Sequence, residues 1–378
     1  MANESVGLLS ANPQGASRWS EHLSQSGLAV RTVAAADEVP GLGVLVLHAA
    51  TAEEALRLLP PATFREHSQT PVLVVLDAGD SEDRAVLLEA GADGCLTGTV
   101  SPRELVLHLA RLASLADLSR QTARHSAAMA RDMAHARRVQ EHILPLVPPL
   151  VEGVDIAVRY LPAADIGGDF FDVMPFDDQR VGFFVADVAG HGIGSALNTM
   201  VLKSQLVIWA RSGITVPETL GMLNNYLHGL TGMDYATAVY AVLDLRSLEL
   251  EYTVAGHPNP LLLRRGKGVR MLETYAGHAG VAGVHVGLPL GMFGEGVYVT
   301  ETAQLLPGDR VFLYTDGLIE WRSSAGEMLG VDGLRGLIES SCNQSLDEQA
   351  AWLVRQMESS AEGGPPDDDV NLLAFEVR

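Results

Sequence analysis

The chain has 378 residues, 47% hydrophobic and 19% charged, which is enough apolar material for two or three packed domains and too much for a largely disordered polypeptide. Lys and Arg number 26 against 47 Asp and Glu, a formal charge of −21, and a field of that sign repels nucleic-acid phosphates and anionic lipid while favouring cations. Cys95 and Cys342 supply neither a disulfide framework nor a cysteine-rich zinc site, Met1–Ser5 does not open a signal peptide, and no apolar run approaches the roughly 18 residues of a membrane span, so a soluble cytoplasmic protein is expected, without nucleic-acid or membrane partners.

In chain order, Val6–Ser10, Val44–Leu47, Pro71–Leu76 and Gly94–Thr97 read as buried strands. Trp19–Ser26, Ala52–Leu59, Arg84–Ala90 and Pro102–Leu112 read as the helices among them, with Gly91 as a stop signal and Ser101-Pro102 as a start. This alternation predicts an α/β domain with a parallel sheet over residues 1–113. From Ser114 the strands vanish and Gly is absent as far as Leu144, while Leu115, Leu118, Met129, Ala136, Val139 and Ile143 recur at three- and four-residue steps. A helical linker over 114–150 follows, ended by Pro145, Pro148 and Pro149. Its stripe is interrupted by Thr122, His125 and Asp132, and its face is either solvated, the coiled-coil seam of a homodimer or a docking site.

Residues 151–378 have a different texture. Ile156–Arg159, Arg180–Val185, Ala236–Asp244, Glu249–Val254, Pro260–Leu263, Arg310–Tyr314 and Asn371–Val377 read as strands, with helices near Gly194–Arg211, Val216–Leu230, Val331–Ser340 and Leu346–Ser359. Strands in succession predict an antiparallel α+β domain. The Gly- and Ala-rich segment Ala276–Gly287 is expected to form a mobile flap.

Four acidic positions stand at strand ends or Gly-flanked turns: Asp169 in Ile166-Gly167-Gly168-Asp169, Asp187 in Ala186-Asp187-Val188-Ala189-Gly190-His191-Gly192, Asp316 in Tyr314-Thr315-Asp316-Gly317, and the run Asp367-Asp368-Asp369 before the last strand. A single Asp in such a place reads as a cap or turn residue. Four of them brought together would raise one another's pKa unless a cation neutralised them, and hard divalent ions prefer such oxygen donors. Two ions bridged by a carboxylate would acidify a water and hold phosphoryl oxygens for in-line attack.

Residues from about Ala136 to Val377 resemble the metal-dependent serine/threonine phosphatases (the PPM or phosphatase 2C-like family), in the bacterial branch containing SpoIIE and RsbU. The matching stretches are Ala136–Gln140 with Leu144-Pro145 and Pro148-Pro149, Pro162-Ala163 with Ile166–Asp169, Ala186–Gly192, Ala255-Gly256-His257-Pro258, Leu288–Gly291, Tyr314–Gly317 and Asp368-Asp369-Val370. The resemblance implies a sandwich of two antiparallel sheets flanked by helices, with a pair of Mn²⁺ or Mg²⁺ ions at one edge. Asp187 would bridge the two ions, the Val188 carbonyl would join one of them, and Asp169, Asp316 and Asp368 would complete the ligands, with Asp369 as the second choice for the last position. His191 would donate a proton to the leaving seryl oxygen, His257 would hold its loop, and Arg159 is a surface residue rather than a phosphate guide. The implied substrate is a phosphorylated STAS-domain anti-sigma-factor antagonist in a partner-switching pathway.

The Gly167-Gly168-Asp169-Phe170 stretch also resembles part of a diguanylate cyclase signature, but that leaves Asp187, Asp316 and Asp368 without a role. Residues 1–113 resemble a flavodoxin-like response-regulator receiver, most closely at Glu89–Thr97 and Ser101–Leu105. The receiver's working parts are absent: Ser10-Ala11-Asn12 stands in place of its acidic pair, His48 in place of the phosphoacceptor, Asp77 in place of a Ser or Thr, and Gly98 in place of the Lys. A pseudo-receiver that binds an unknown regulator or dimerises is therefore expected, with its state passed along the linker helix. The rival reading of the whole chain is a non-catalytic scaffold that binds the antagonist without turnover.

Overall fold

The alternating N-terminal pattern folds as β1 (Ser5–Ser10), α1 (Pro13–Gln25), β2 (Ala29–Thr32), β3 (Val44–Ala49), α2 (Ala52–Leu58), β4 (Val72–Leu76), α3 (Ser81–Glu89) and β5 (Gly94–Thr97). The computed structural model describes residues 5–34, 43–60, 70–98, 100–164, 166–190, 192–231, 235–274, 285–294, 296–322, 326–360, 366 and 368–378. The five strands pair in parallel in the order β2-β1-β3-β4-β5. Every residue of β3 and β4 is buried, because one face packs under Ala55 and Leu87 and the other under Trp19, Leu23, Leu105 and Leu109. β2 is an edge strand with no buried residue, so it carries no apolar run for a sequence reading to find. Helix α1 starts at Pro13, well before the expected Trp19, because the Asn12 side chain caps it and accepts the Gly15 amide.

The expected helix from Pro102 and the expected linker helix are one element, α4 (Pro102–Ile143), 42 residues and about 63 Å long at 1.5 Å per residue. Its apolar positions Leu115, Leu118, Met129, Val139 and Ile143 are exposed. Two compact units divide the chain inside this helix, Met1–Ala130 and Arg131–Arg378.

The second unit continues with β6 (Val154–Leu161), β7 (Asp169–Pro175), β8 (Arg180–Val188), α5 (Ile193–Ala210), α6 (Val216–Thr231), β9 (Ala236–Asp244), β10 (Glu249–Ala255), β11 (Leu261–Arg264) and β12 (Gly268–Met271). After a short parallel pair, β13 (His285–Val286) and β14 (Gly296–Val297), come β15 (Glu301–Gln304), β16 (Arg310–Tyr314), α7 (Gly317–Glu320), α8 (Gly330–Ser340), α9 (Leu346–Ser360) and β17 (Val370–Val377). Two five-stranded antiparallel sheets result, β15-β10-β9-β8-β7 and β12-β11-β16-β17-β6. Between them lies one core, into which Val311, Leu313, Leu373 and Phe375 point from the second sheet and Phe183 and Val185 from the first. Helices α5 and α6 contribute Leu202, Leu206, Leu220 and Leu223 to the same cluster, whereas α8 and α9 cover the outer face of the second sheet through Leu334, Ile338, Ala350 and Leu353. The alternation along β17, with Leu373 and Phe375 inward and Leu372 and Ala374 outward, is the period-two pattern of a strand buried on both faces.

Strand β7 was not expected. It begins at Asp169 and contains a second acid, Asp172, which breaks the apolar run although the strand is buried up to Met174. Asp172 is compensated by Lys203 of α5, 3.3 Å away, and both side chains are nine-tenths buried. Across the core, Phe183 and Phe375 stack with ring centroids 4.1 Å apart and planes 8° from parallel, fixing the two sheets face to face. Replacing Phe375 by Ala is expected to destabilise the second unit by about 3–5 kcal/mol in urea unfolding, because the void lies between two sheets that cannot close on it.

Candidate active site

The acidic positions converge at one edge of the sandwich. Asp169 opens β7 and stands directly opposite Asp187 of β8 in the antiparallel register, and Asp187 in turn faces Thr237 of β9. Asp316 occupies the N-cap position of α7, but its side chain makes no capping hydrogen bond. Asp368 precedes β17 with an exposed side chain, one oxygen of which accepts the Asp369 amide at 2.8 Å. Gly168 lies over the Val188 carbonyl oxygen, which a Cβ would approach to 2.7 Å, so only glycine lets these two strands meet there.

Asp369, the neighbour of Asp368, does something different. Its Oδ1 accepts the Ala163 amide at 2.8 Å, and its Oδ2 accepts the amides of Gly168 at 2.6 Å and Asp169 at 3.3 Å. Both oxygens of this buried carboxylate are thus used to hold the turn that delivers Asp169. Asp169 is fixed at its own end by Thr315, whose hydroxyl donates to Oδ2 at 2.7 Å. Nothing in the sequence separates Asp368 from Asp369; their opposite surroundings arise only when β17 is laid beside β6 and β7.

The electrostatics follow from crowding like charges where water is scarce. Burial first, then Asp187 and Asp369, hold the Asp169 carboxyl well above the usual range, with Thr315 acting against them. Asp187 is pushed up to about 7 by burial and by Asp316 and Asp368, while a hydrogen bond from Asp169 opposes the rise. Asp316 is raised by burial and by Glu320, and Asp368 by burial and by Asp316 and Asp369. Such a set of carboxylate oxygens, with a carbonyl beside it, is the donor chemistry that hard divalent cations take. Among the described residues, no three His, Cys, Asp or Glu side chains are already closed around one point as a metal cage.

Other expected residues are placed as follows. His257 is buried, its Nδ1 lies 2.7 Å from Thr237 Oγ1 of the first sheet, and its Nε2 has no hydrogen-bond partner among the described residues. Burial lowers its pKa to about 3 and keeps the ring neutral. Arg159 reaches Asp347 at 2.8 Å and the Val158 carbonyl at 2.7 Å. His191, and residues 276–284 of the expected flap, lie outside the described residues. In the first unit, Ser10 at the end of β1, His48 in β3 and Asp77 after β4 form one line: Ser10 Oγ is 2.9 Å from His48 Nδ1, and His48 Nε2 is 3.2 Å from Asp77. Read singly in the sequence these are three mismatches to a receiver; folded, they satisfy one another.

Removing the Asp369 carboxylate by Asp369→Ala leaves three amides without an acceptor, and urea unfolding of the second unit is expected to lose about 3 kcal/mol. His257 makes a pH-dependent contribution. Its folded pKa lies below the usual unfolded value, so the unfolded state binds the proton first and stability falls as pH drops from about 6.5 towards 3. That contribution has a slope of up to about 1.4 kcal/mol per pH unit, and the wild-type stability curve minus that of His257→Asn is expected to show it.

The SpoIIE family model, Stage II sporulation protein E, matches residues 177–378, so Gln140 and Asp169 lie upstream of the matched stretch. The phosphoserine phosphatase RsbP of Bacillus subtilis (strain 168) is 30% identical over 196 residues, 50% of this chain and 45% of that protein. The phosphoserine phosphatase RsbU of the same organism is 27% identical over 215 residues, 56% of this chain and 60% of that protein. The chain thus spans about half the length of the curated relatives it matches. The crystal structure of the RsbU and RsbW domains of Rv1364c from Mycobacterium tuberculosis is similar with a TM-score of 0.55 and 29% identity, covering 62% of this chain and 63% of that one. The SiaA-PP2C domain of Pseudomonas aeruginosa, at a TM-score of 0.58 and 22% identity over 67% of this chain and 99% of its own, shares the fold. With more than half of its residues inside the family match, on a sandwich whose edge gathers the same acidic motifs, the chain belongs to the SpoIIE family.

Proposed function

We propose that this chain is a metal-dependent protein serine/threonine phosphatase. The observation that carries the reading is the register pairing of Asp169 with Asp187, in a group where burial, and then Asp316 and Asp368, raise the Asp187 pKa to about 7. Carboxylates in that condition are a ligand set for divalent cations, with Asp187 central, the Val188 carbonyl beside it, and Asp169, Asp316 and Asp368 around it. Asp369 serves as an anchor, since its oxygens are committed to backbone amides. A pair of Mn²⁺ or Mg²⁺ ions bound there supplies Lewis-acid activation of water and a grip on phosphoryl oxygens. The chain's own residues set the geometry: Thr315 orients Asp169, the β7–β8 pairing sets it against Asp187, and Gly168 keeps the Val188 carbonyl open. His191, in the sequence Gly190-His191-Gly192 that follows β8, is assigned the proton for the departing seryl oxygen.

The substrate under this reading is a phosphorylated STAS-domain antagonist of an anti-sigma factor, released in the cytoplasm to switch partners. Support comes from RsbP and RsbU, both named phosphoserine phosphatases. The first unit is a degenerate receiver: its strand order β2-β1-β3-β4-β5 is that of flavodoxin-like sheets, and the Ser10–His48–Asp77 line fills the strand ends where a receiver keeps its acids. Its role is regulation by a partner or dimerisation, with the exposed apolar stripe of α4 as the seam. A non-catalytic scaffold has no observation in its favour, since every acidic position of the site is present.

Full-length protein with Mn²⁺ is expected to hydrolyse p-nitrophenyl phosphate, to stop on chelation and to resume when Mn²⁺ is restored. Asp187→Ala is expected to lower kcat by roughly 10²-fold or more, the share that a bound metal contributes to the transition state. Wild-type protein that turns over nothing while still binding the phosphorylated antagonist would establish the scaffold instead.

A further inference from the structure

Gln140 lies in the last turns of α4, on a helix otherwise largely exposed, yet its side chain is only 4% exposed. Its Nε2 donates to the Gly167 carbonyl at 2.7 Å, and its Oε1 accepts the Gly167 amide at 3.2 Å. One side chain therefore satisfies both backbone groups of a single residue, in the manner of a neighbouring strand. A primary amide suits this because it offers a donor and an acceptor side by side on separate atoms, whereas a carboxylate has no donor for the carbonyl and an apolar side chain has neither group. Gly167 is two residues before Asp169, and its remaining sides are closed: a Cβ there would collide with the Asp369 carboxylate and the Tyr160 hydroxyl. The next residue is held just as firmly, with its amide on Asp369 and its carbonyl accepting from Thr199 of α5 at 2.7 Å.

We infer that Gln140 is a positioning residue for the metal-ligating Asp169: by gripping both backbone groups of Gly167, the end of α4 sets where the Asp169 carboxylate meets Asp187. The inference rests on the metal-dependent phosphatase reading and adds a residue outside the family match. Without the grip, a buried amide and carbonyl lose their partners and the turn relaxes towards others, displacing Asp169 from its register. The effect falls first on metal affinity, in the way that hydrogen-bonding partners of metal ligands act elsewhere.

The test is the Mn²⁺ dissociation constant of the full chain, measured by isothermal titration calorimetry for wild type, Asp187→Ala, Gln140→Met and Gln140→Asn, with melting temperature and circular dichroism recorded for each. Gln140→Met removes both hydrogen bonds at similar volume; Gln140→Asn keeps the amide but is one methylene too short, and decides the question should the Met variant not fold. Both are expected to bind Mn²⁺ about tenfold or more weakly while folded, with kcat lowered to match at sub-saturating Mn²⁺. A Gln140 that merely braces the fold would lower the melting temperature and leave the dissociation constant unchanged. If Asp187→Ala abolishes binding while a folded Gln140 variant binds as wild type does, this inference is overturned and the phosphatase reading stands. If wild type does not bind Mn²⁺, both fall together.

Discussion

Carboxylates that meet at the buried edge of a sandwich repel one another, and the edge exists only because something else holds them there. Asp369 supplies that hold. It is the one acid of the group whose charge is spent wholly on the protein, accepting amides from Ala163, Gly168 and Asp169. A charge satisfied by backbone amides is cheap to bury compared with one left bare, so the turn before β7 is pinned while its neighbours remain available for a cation. Thr315 extends the arrangement: its hydroxyl donates to Asp169 and its oxygen accepts the amide of Asn371, so three separate stretches of chain are locked at one point.

The rest of the second unit keeps that point in place. The sheets are joined by apolar stacking in the middle, with Phe183 on Phe375, while His257 near the edge is held to Thr237 of the first sheet. Phe183 lies four residues before Asp187 on β8, so the stack steadies the strand that carries this acid. Because a strand is stiff and its side chains alternate, fixing Phe375 and Leu373 in the core fixes where β17 begins, and hence where Asp368 and Asp369 emerge. The cost of this design is visible at β7, which must bury Asp172 as well as Asp169 and needs Lys203 from α5 to do so.

Helix α4 enters the same system. It begins in the first unit and ends with Gln140 in hydrogen bonds to the turn before Asp169, so the linker contributes directly to the edge that carries the acids. In the first unit the polar residues at the strand ends form a line of contacts, Ser10 to His48 to Asp77.

The sequence by itself determined the two fold classes, since strand–helix alternation and strand succession are visible in local periodicity, and it determined the acidic positions, since a glycine-flanked Asp after an apolar strand is a local pattern. It also carried the family resemblance, because motif order survives in one dimension. It did not show β2, an edge strand with no apolar face, or β7, whose buried acids disguise it as a loop. Nor did it separate Asp368 from Asp369, or give Gln140, Thr199 and Thr315 any role beyond membership of a motif or a helix. Those assignments depend on hydrogen bonds between residues far apart in the chain, Gln140 with Gly167, Asp369 with Gly168, Thr315 with Asp169. A buried polar group is defined by the partner that folding brings to it, and only the tertiary structure decides which partner that is.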